Sequence, residues 1–182
     1  MSSTSKYTCK LDPQTSTILE VYLFKNVTNL KEIRKNIIEG VWNCAVIKPA
    51  LIVDPFQIAV AANRAMVSQK FNTMVTKTVF GEIIYNLSLT KNISQSLNKF
   101  GIGTDTEILI CFLVKSAESE EHREVVLSQI RGELSPLSEL ANITNLEDCQ
   151  KTYKLNKGSI KCRDKLLNNI VSKMVTKNFI SH

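Results

Sequence analysis

The sequence has few of the residues from which catalytic and metal sites are built. Its 182 residues contain two histidines and five cysteines, and no two cysteines are separated by two residues. An odd number of widely spaced cysteines predicts neither a disulfide framework nor a zinc site. Neither a GxxxxGK[ST] nor a GxGxxG motif is present, and no acid, base and nucleophile combine into a catalytic set. We therefore expect no enzymatic activity, no catalytic residue, no cofactor and no metal.

Long apolar segments are also missing. No run approaches the roughly 18 apolar residues that span a bilayer, and the first ten residues, MSSTSKYTCK, have no apolar core of signal-peptide length. We therefore expect an intracellular protein with reduced cysteines and no membrane partner. Cys44 and Cys111 are nucleophiles in principle, but each lies in an apolar run that favours a small core residue.

The composition is that of a globular protein with excess positive charge. Apolar residues make up 43% of the chain, and 23 lysines and arginines against 17 acidic residues give a net charge of +6. Such an excess fits either a solvated basic surface or an anionic partner such as nucleic acid. Charge alone does not decide between these two interpretations.

Apolar periodicity predicts one α+β domain over residues 1–182, with residues 1–14 as a flexible N-terminal extension. Two segments are predicted as strands, 16–24 and 106–114, and the continuous apolar run of the second is typical of a central strand. Residues 41–53 form a mostly apolar connector. The predicted helices cover 28–40, 54–71, 76–89, 92–102, 116–131, about 144–153 and 159–179.

The helix that begins after Asp54 carries an arginine among apolar residues. Asp54 suits the N-cap, Pro55 the first helical position and Gln57 the third. A helical wheel gives two apolar faces, so we expect this helix to lie between two layers. Their members are Ile58, Ala61, Ala62, Ala65 and Met66 on one face and Phe56, Val60, Val67 and Phe71 on the other. Arg64 lies between the faces and either reaches solvent or an acid such as Glu82, or holds a fixed charge toward an anion.

Three segments resemble a known family when they are taken in order. They are IVDPFQIAVAANRA, EIIYNLSLTKNISQSLNKFGI and YKLN. Together they resemble the Cgi family of subunits of the KEOPS (EKC) complex, and the resemblance extends from Ile18 to the terminal helix. The chain departs from the family at its longer N-terminus, at WNCAVIKPA and at VTKNFISH.

The resemblance implies a non-catalytic subunit with a central, mainly antiparallel sheet and helices packed around it. Its implied partners are the small lobe of an atypical kinase of the PRPK (Bud) type and, through that kinase, the other KEOPS subunits. One of these subunits is the ATPase that transfers a threonylcarbamoyl group to the adenosine beside the anticodon. The family also helps to hold tRNA, including the CCA end, so we expect a cytoplasmic and nuclear protein without a small-molecule substrate.

Two candidate surfaces follow once the family is considered. For the kinase, we expect an apolar side of the terminal helix, which either packs on the sheet or stays open for a partner, and a second contact on the short helix before Gly101. These candidates are Leu97, Phe100, Ile160, Leu167, Ile170, Val171 and Met174. Binding of tRNA requires fixed cations that contact phosphates and groups that contact the edges or faces of unpaired bases. The candidates are Arg64, Lys77, Lys91 and Asn92.

Alternatives to these interpretations stay open at this stage. Asn92 also suits a helix N-cap, and both lysines also suit a solvated surface. The protein as a whole is either an adaptor that binds kinase and tRNA, or an allosteric regulator of the kinase without an RNA contact. An enzyme acting on a small molecule is the weakest of the hypotheses.

Overall fold

A computed structural model describes residues 5–156 and 162–179. Within these ranges the chain forms five strands and eight α-helices. This arrangement confirms the predicted single α+β domain. The elements are β1 (Lys6–Lys10), β2 (Ile18–Lys25), α1 (Leu30–Ile38), β3 (Ala45–Ile47), α2 (Pro55–Lys70), α3 (Val79–Leu87), α4 (Ile93–Phe100), β4 (Ile108–Val114), α5 (Ala117–Gln129), β5 (Glu133–Ser135), α6 (Leu140–Ile143), α7 (Leu146–Thr152) and α8 (Arg163–Thr176).

The strands form one sheet in which every described pairing is antiparallel. Strands β2 and β4 lie at its centre and pair from Ile18 opposite Val114 to Phe24 opposite Ile108. Strand β3 pairs with the other edge of β4. Strands β1 and β5 share the remaining edge of β2, one after the other. The antiparallel sheet that the family resemblance implies is therefore confirmed.

Helices cover both faces of this sheet. Side chains alternate along a strand, so Leu19 and Val21 of β2 pack toward α2, α3 and α8. Tyr22 and Phe24 point the other way, into a second core with α1, α5 and Trp42. Every residue of β4 is buried, which explains its continuous apolar sequence and confirms the prediction of a central strand.

The strands that the sequence analysis missed are short or lie at an edge. The expected flexible extension over residues 1–14 is wrong for Lys6–Lys10, because these residues pair with β2 as β1. Strand β1 is polar on its open side and has no buried residue, so its sequence carries little strand signal. Strand β3 has three residues and lies inside the segment expected to be a connector.

Helix α2 has one buried face rather than two. Ile58, Ala61 and Ala65 are fully buried against the sheet, as expected. The second apolar face is open at its ends, since Phe56 is 47% and Phe71 62% exposed, whereas Val60 and Val67 are half-buried. The expectation of a helix between two layers is therefore wrong at the two ends of the outer face.

Candidate functional site

Local capping shapes the turn between α3 and α4. The Asn92 side-chain oxygen accepts a hydrogen bond from the Gln95 amide at 2.9 Å, and the Thr90 hydroxyl accepts one from the Asn92 amide at 3.1 Å. These bonds satisfy amides that the first turn of a helix leaves without partners. The N-cap interpretation of Asn92 is thus confirmed, and the turn is held in a fixed shape.

A cavity of about 870 Å³ opens between this turn, α4, the end of α7 and the end of α8. Its volume suits a nucleotide-sized ligand. Among the residues that the structure describes, four lysines line it, Lys91, Lys99, Lys154 and Lys177, and no acidic side chain does. We refer to these four residues and the space between them as the lysine pocket. Its chemistry favours an anion.

The pocket wall also contains an unsatisfied polar group. Thr152 lines the pocket, and its side-chain oxygen is buried without a hydrogen-bond partner within the described part of the chain. Buried hydroxyls are normally hydrogen-bonded. A ligand with a donor or acceptor at this position would therefore satisfy Thr152.

Lys177 lies in the wall of the pocket and has no exposed surface. Its Nζ donates hydrogen bonds to the carbonyl oxygens of Tyr85 at 2.5 Å and Ser88 at 3.1 Å, and lies 3.4 Å from the centroid of the Tyr85 ring. Burial lowers the pKa of Lys177 to about 8, and the charges of Arg64 and Lys91 act in the same direction. Lys177 was not among the sequence candidates, because its only signal is a lysine near the end of the predicted terminal helix.

Arg64 does not line the pocket. Its Nη1 donates to the Met174 carbonyl oxygen at 2.5 Å, which fixes α8 beside α2. Its side chain is half-buried, and burial lowers its pKa. Glu82 is near but forms no ion pair with Arg64, because its carboxylate accepts hydrogen bonds from the Val75 and Thr76 amides and the Thr76 hydroxyl. Arg64 therefore neither reaches solvent freely nor pairs with Glu82.

The structure brings only two of the four RNA candidates together. Lys91 lines the lysine pocket, and Asn92 follows it at the start of α4. Lys77 is exposed in the loop between α2 and α3 and does not line the pocket. The candidate site thus lies around Lys91, and its other three lysines were not among the sequence candidates.

Three of the kinase candidates are core residues. Phe100, Ile170 and Met174 have no exposed surface, so a partner cannot reach them while the protein is folded, and these three assignments are wrong. These apolar side chains belong to the core between the helices and the sheet, which is why they recur at helical spacing. Leu97 is 38% exposed, Leu167 and Val171 are partly buried, and Ile160 lies outside the described residues.

A second apolar row on α8 is partly buried at its start and exposed at its end. Leu167, Val171 and Val175 follow one another at intervals of four residues, and the row continues past the helix end to Phe179. Val175 is 37% and Phe179 87% exposed. We refer to Leu167, Val171, Val175 and Phe179 as the α8 outer stripe. It flanks the buried row of Leu166, Ile170 and Met174.

Helices α2 and α8 lie side by side and run in the same direction. Arg163, at the start of α8, donates to the Val53 carbonyl oxygen just before α2. Arg64 in the middle of α2 donates to the Met174 carbonyl oxygen near the end of α8. The open face of α2, with Phe56 and Phe71, and the α8 outer stripe therefore belong to neighbouring helices.

Cys44 and Cys111, the two possible nucleophiles named above, are buried in the core. Burial raises the pKa of the Cys44 thiol to about 12 and that of Cys111 further, so both thiols stay protonated and unreactive. Residues 5–156 and 162–179 contain no group of three or more histidine, cysteine or acidic side chains that could hold a metal ion. In the same ranges no helix has the length and apolar character needed to cross a bilayer.

Comparison with known proteins gives one consistent result. The sequence model of the family described as "Kinase binding protein CGI-121" matches residues 24–178. The EKC/KEOPS complex subunit TPRKB of Danio rerio is 34% identical over 156 residues, which are 86% of this chain and 89% of that protein. The EKC/KEOPS complex subunit CGI121 of Candida glabrata is 32% identical over 120 residues, which are 66% of this chain and 67% of that protein.

Proposed function

The chain belongs to the CGI-121 family of kinase-binding proteins, and from this premise we propose that it is a non-catalytic subunit of a KEOPS (EKC) complex in the cytoplasm and nucleus. It binds a kinase of the PRPK (Bud) type and, through that kinase, the subunit that transfers the threonylcarbamoyl group. It also helps to recruit tRNA by its CCA end. The family to which the three sequence motifs point is confirmed. The binding partners named here are what we propose.

The exposed apolar rows on α2 and α8 support the assignment of the kinase surface. A stable interface buries about 800 Å² on each partner, which is more than the α8 outer stripe alone provides. Phe56 on the neighbouring helix α2 and Phe71, which follows its last residue, are further exposed apolar side chains. Exposed rows of this kind mark helix-mediated contacts with a partner. Leu97 on α4 remains a candidate for a further contact.

We expect Val175→Asp and Phe71→Asp each to weaken kinase binding about tenfold or more, because each would bury an unpaired carboxylate in the interface. The measurement is titration calorimetry of the full chain with a PRPK-type kinase. Val125→Asp is the matched control, since Val125 is an exposed valine, 48% accessible, on the other face of the sheet.

Circular dichroism should show native folding of all three variants. Wild-type affinity of both the α2 and the α8 variant, or an equal loss in Val125→Asp, would contradict this choice of surface.

The lysine pocket supports the assignment of the RNA surface. Four lysines line a cavity of about 870 Å³, and none of its other described lining residues is acidic. Lysines bind backbone phosphates, and the polar side chains of Ser88, Gln95 and Asn98 in the wall suit the edges of unpaired bases. A single-stranded end fits such a pocket, whereas a duplex does not.

The double variant Lys91→Ala/Lys99→Ala should weaken tRNA binding and reduce its salt dependence. The slope of log K against log salt concentration should become less negative by about 0.7 for each lost phosphate contact. Filter binding with tRNA, with and without the CCA end, measures both effects. The charge-matched control is Lys35→Ala/Lys115→Ala, because both lysines are exposed and lie outside the pocket.

Equal losses in the two double variants would show that net charge, not the pocket, binds tRNA. Kinase binding without any tRNA binding would favour the alternative function, a regulator of the kinase alone.

A further inference from the structure

Lys177 connects the end of α8 to the wall of the lysine pocket. Its side chain leaves the last turn of α8 and reaches the carboxyl end of α3, where it donates to the carbonyl oxygens of Tyr85 and Ser88. The last carbonyls of a helix have no partners within that helix. A lysine from a second helix therefore caps α3 and complements its dipole.

The positive charge of Lys177 is not paired directly with a carboxylate. In the described part of the chain it forms no ion pair, since its acceptors are backbone oxygens. The charged and titratable groups that face it are Glu82 and Tyr85 from α3, Arg64 from α2 and Lys91 from the pocket. Glu82 is already hydrogen-bonded by the loop before α3. Because no carboxylate is in direct contact with Lys177, part of its field acts on the pocket.

Holding a buried charge in this way destabilises the folded chain. An apolar side chain of similar size, such as methionine, would fill the same space without that penalty. Buried groups with perturbed pKa values cluster at functional sites, and Lys177 lies in the wall of a cavity that Lys91, Lys99 and Lys154 also line. The charge is therefore expected to act on a ligand.

Lys177 also controls the shape of the pocket. The Ser88 carbonyl that it binds immediately precedes Leu89, Thr90 and Lys91, which form one side of the pocket. Fixing this carbonyl fixes the start of the turn that presents Lys91. A ligand in the pocket would contact Lys91 and Lys99 directly and would not touch the side chain of Lys177, which has no exposed surface.

We infer that Lys177 is a positioning residue for RNA: it fixes the Ser88–Lys91 side of the lysine pocket and places a positive charge without an ion-pair partner behind it. The inference rests on the proposed RNA-binding function. It adds a residue that never touches the RNA and a pH dependence that a purely structural lysine would not give.

The test measures binding of a synthetic single-stranded RNA ending in CCA to the full chain. Lys177→Met should bind about tenfold more weakly than wild type at neutral pH, because both the charge and the two hydrogen bonds are lost. Lys177→Arg, which stays charged, should retain most of the affinity. Lys173→Met is the matched control, since Lys173 lies one turn earlier on α8 and outside the pocket.

The pH profile separates a functional charge from a structural one. Lys177 has a pKa of about 8, so wild-type affinity should fall as the pH rises from about 7 to about 9. The profile of Lys177→Arg should be flatter over the same range, and this comparison holds even if Lys177→Met does not fold.

The outcomes distinguish the inference from the function on which it rests. Equal affinities of wild type and Lys177→Met, or parallel pH profiles of wild type and Lys177→Arg, would overturn the role of Lys177 and leave RNA binding intact. Absence of RNA binding by the wild-type chain would overturn the RNA-binding proposal itself, and the Lys177 inference with it.

Discussion

Several cationic side chains in this protein bind backbone carbonyls instead of carboxylates. Arg34 donates to the Ile102 carbonyl oxygen and Lys48 to that of Asn98. Arg64 and Lys177 do the same at Met174 and Tyr85. A carbonyl oxygen fixes the position of a cation without neutralising it. These residues therefore join segments of the fold and still contribute to the basic character that the composition indicates.

Tyr153 shows what a single residue of a sequence motif contributes. Its hydroxyl donates to the Leu87 carbonyl oxygen at 2.7 Å and accepts from Gln57 Nε2 at 2.8 Å. Gln57 in turn accepts from the Val53 amide through Oε1. The YKLN, DPFQ and YNLS motifs thus meet in one buried hydrogen-bond network. Gln57 was expected only as the third residue of a helix, because a sequence does not show which partner a buried amide finds.

We expect Tyr153→Phe to lower the free energy of unfolding by about 1 to 3 kcal/mol, because the Leu87 carbonyl and the Gln57 amide both lose a buried partner. Urea unfolding followed by circular dichroism measures this change. Tyr7→Phe is the control, since Tyr7 is half-buried and its hydroxyl has the weakly bonding Cys9 thiol as a partner. Equal losses of unfolding free energy in Tyr153→Phe and Tyr7→Phe would show that the buried network adds no stability beyond that of an ordinary tyrosine hydroxyl.

Helices with local start and stop signals and the two apolar central strands were predicted, whereas the short strands at the edges of the sheet were not. The Asp54 side chain caps α2 by accepting from the Phe56 amide, and Phe71 follows its last residue. Gly101 ends α4 for a reason that no periodicity shows. A Cβ at this position would lie 2.5 Å from the Leu97 carbonyl oxygen. Strands β1 and β5, in contrast, exist only because β2 offers a free edge.

Helix α8 illustrates why the candidate surface could be predicted only in part. Its sequence has one broad apolar sector, from which the buried and exposed rows cannot be separated without knowing where the sheet lies. The structure assigns Ile170 and Met174 to the core and leaves Val175 open. Lys177 follows the last turn, and its role depends on α3, a helix about 90 residues earlier in the chain.

On the scale of the whole molecule, the two candidate surfaces lie on the same side of the sheet. Helices α2, α3 and α8 and residues Phe100 and Tyr153 belong to one core, so the lysine pocket and the α8 outer stripe share that layer. The opposite layer contains α5, which exposes several acidic residues, among them Glu118, Glu120 and Glu121. The sheet thus separates a basic side from a helix that would repel RNA.

A buried carboxylate joins the edge of the sheet to α5 and should control acid stability. Glu20 on β2 is 6% exposed and accepts hydrogen bonds from Lys6 of β1 at 2.7 Å, Tyr22 at 2.8 Å and Arg123 of α5 at 2.8 Å. Burial alone would raise its pKa, but these hydrogen bonds and the charges of Arg123 and Lys6 lower it below its ordinary value. Glu20 therefore binds its proton less readily in the folded than in the unfolded chain.

Stability from such a group is fully present above the pKa of the unfolded chain and is lost as the pH falls through the folded pKa. Wild-type protein should thus lose unfolding free energy steeply below about pH 5, whereas Glu20→Gln should lose less. At neutral pH the variant should be less stable by about 2 kcal/mol, because charge-assisted hydrogen bonds are lost. Urea unfolding across this pH range measures both effects, with the exposed Glu121→Gln on α5 as control. If the unfolding free energies of Glu20→Gln and wild type fell in parallel as the pH is lowered, Glu20 would not be the cause of the loss of stability in acid.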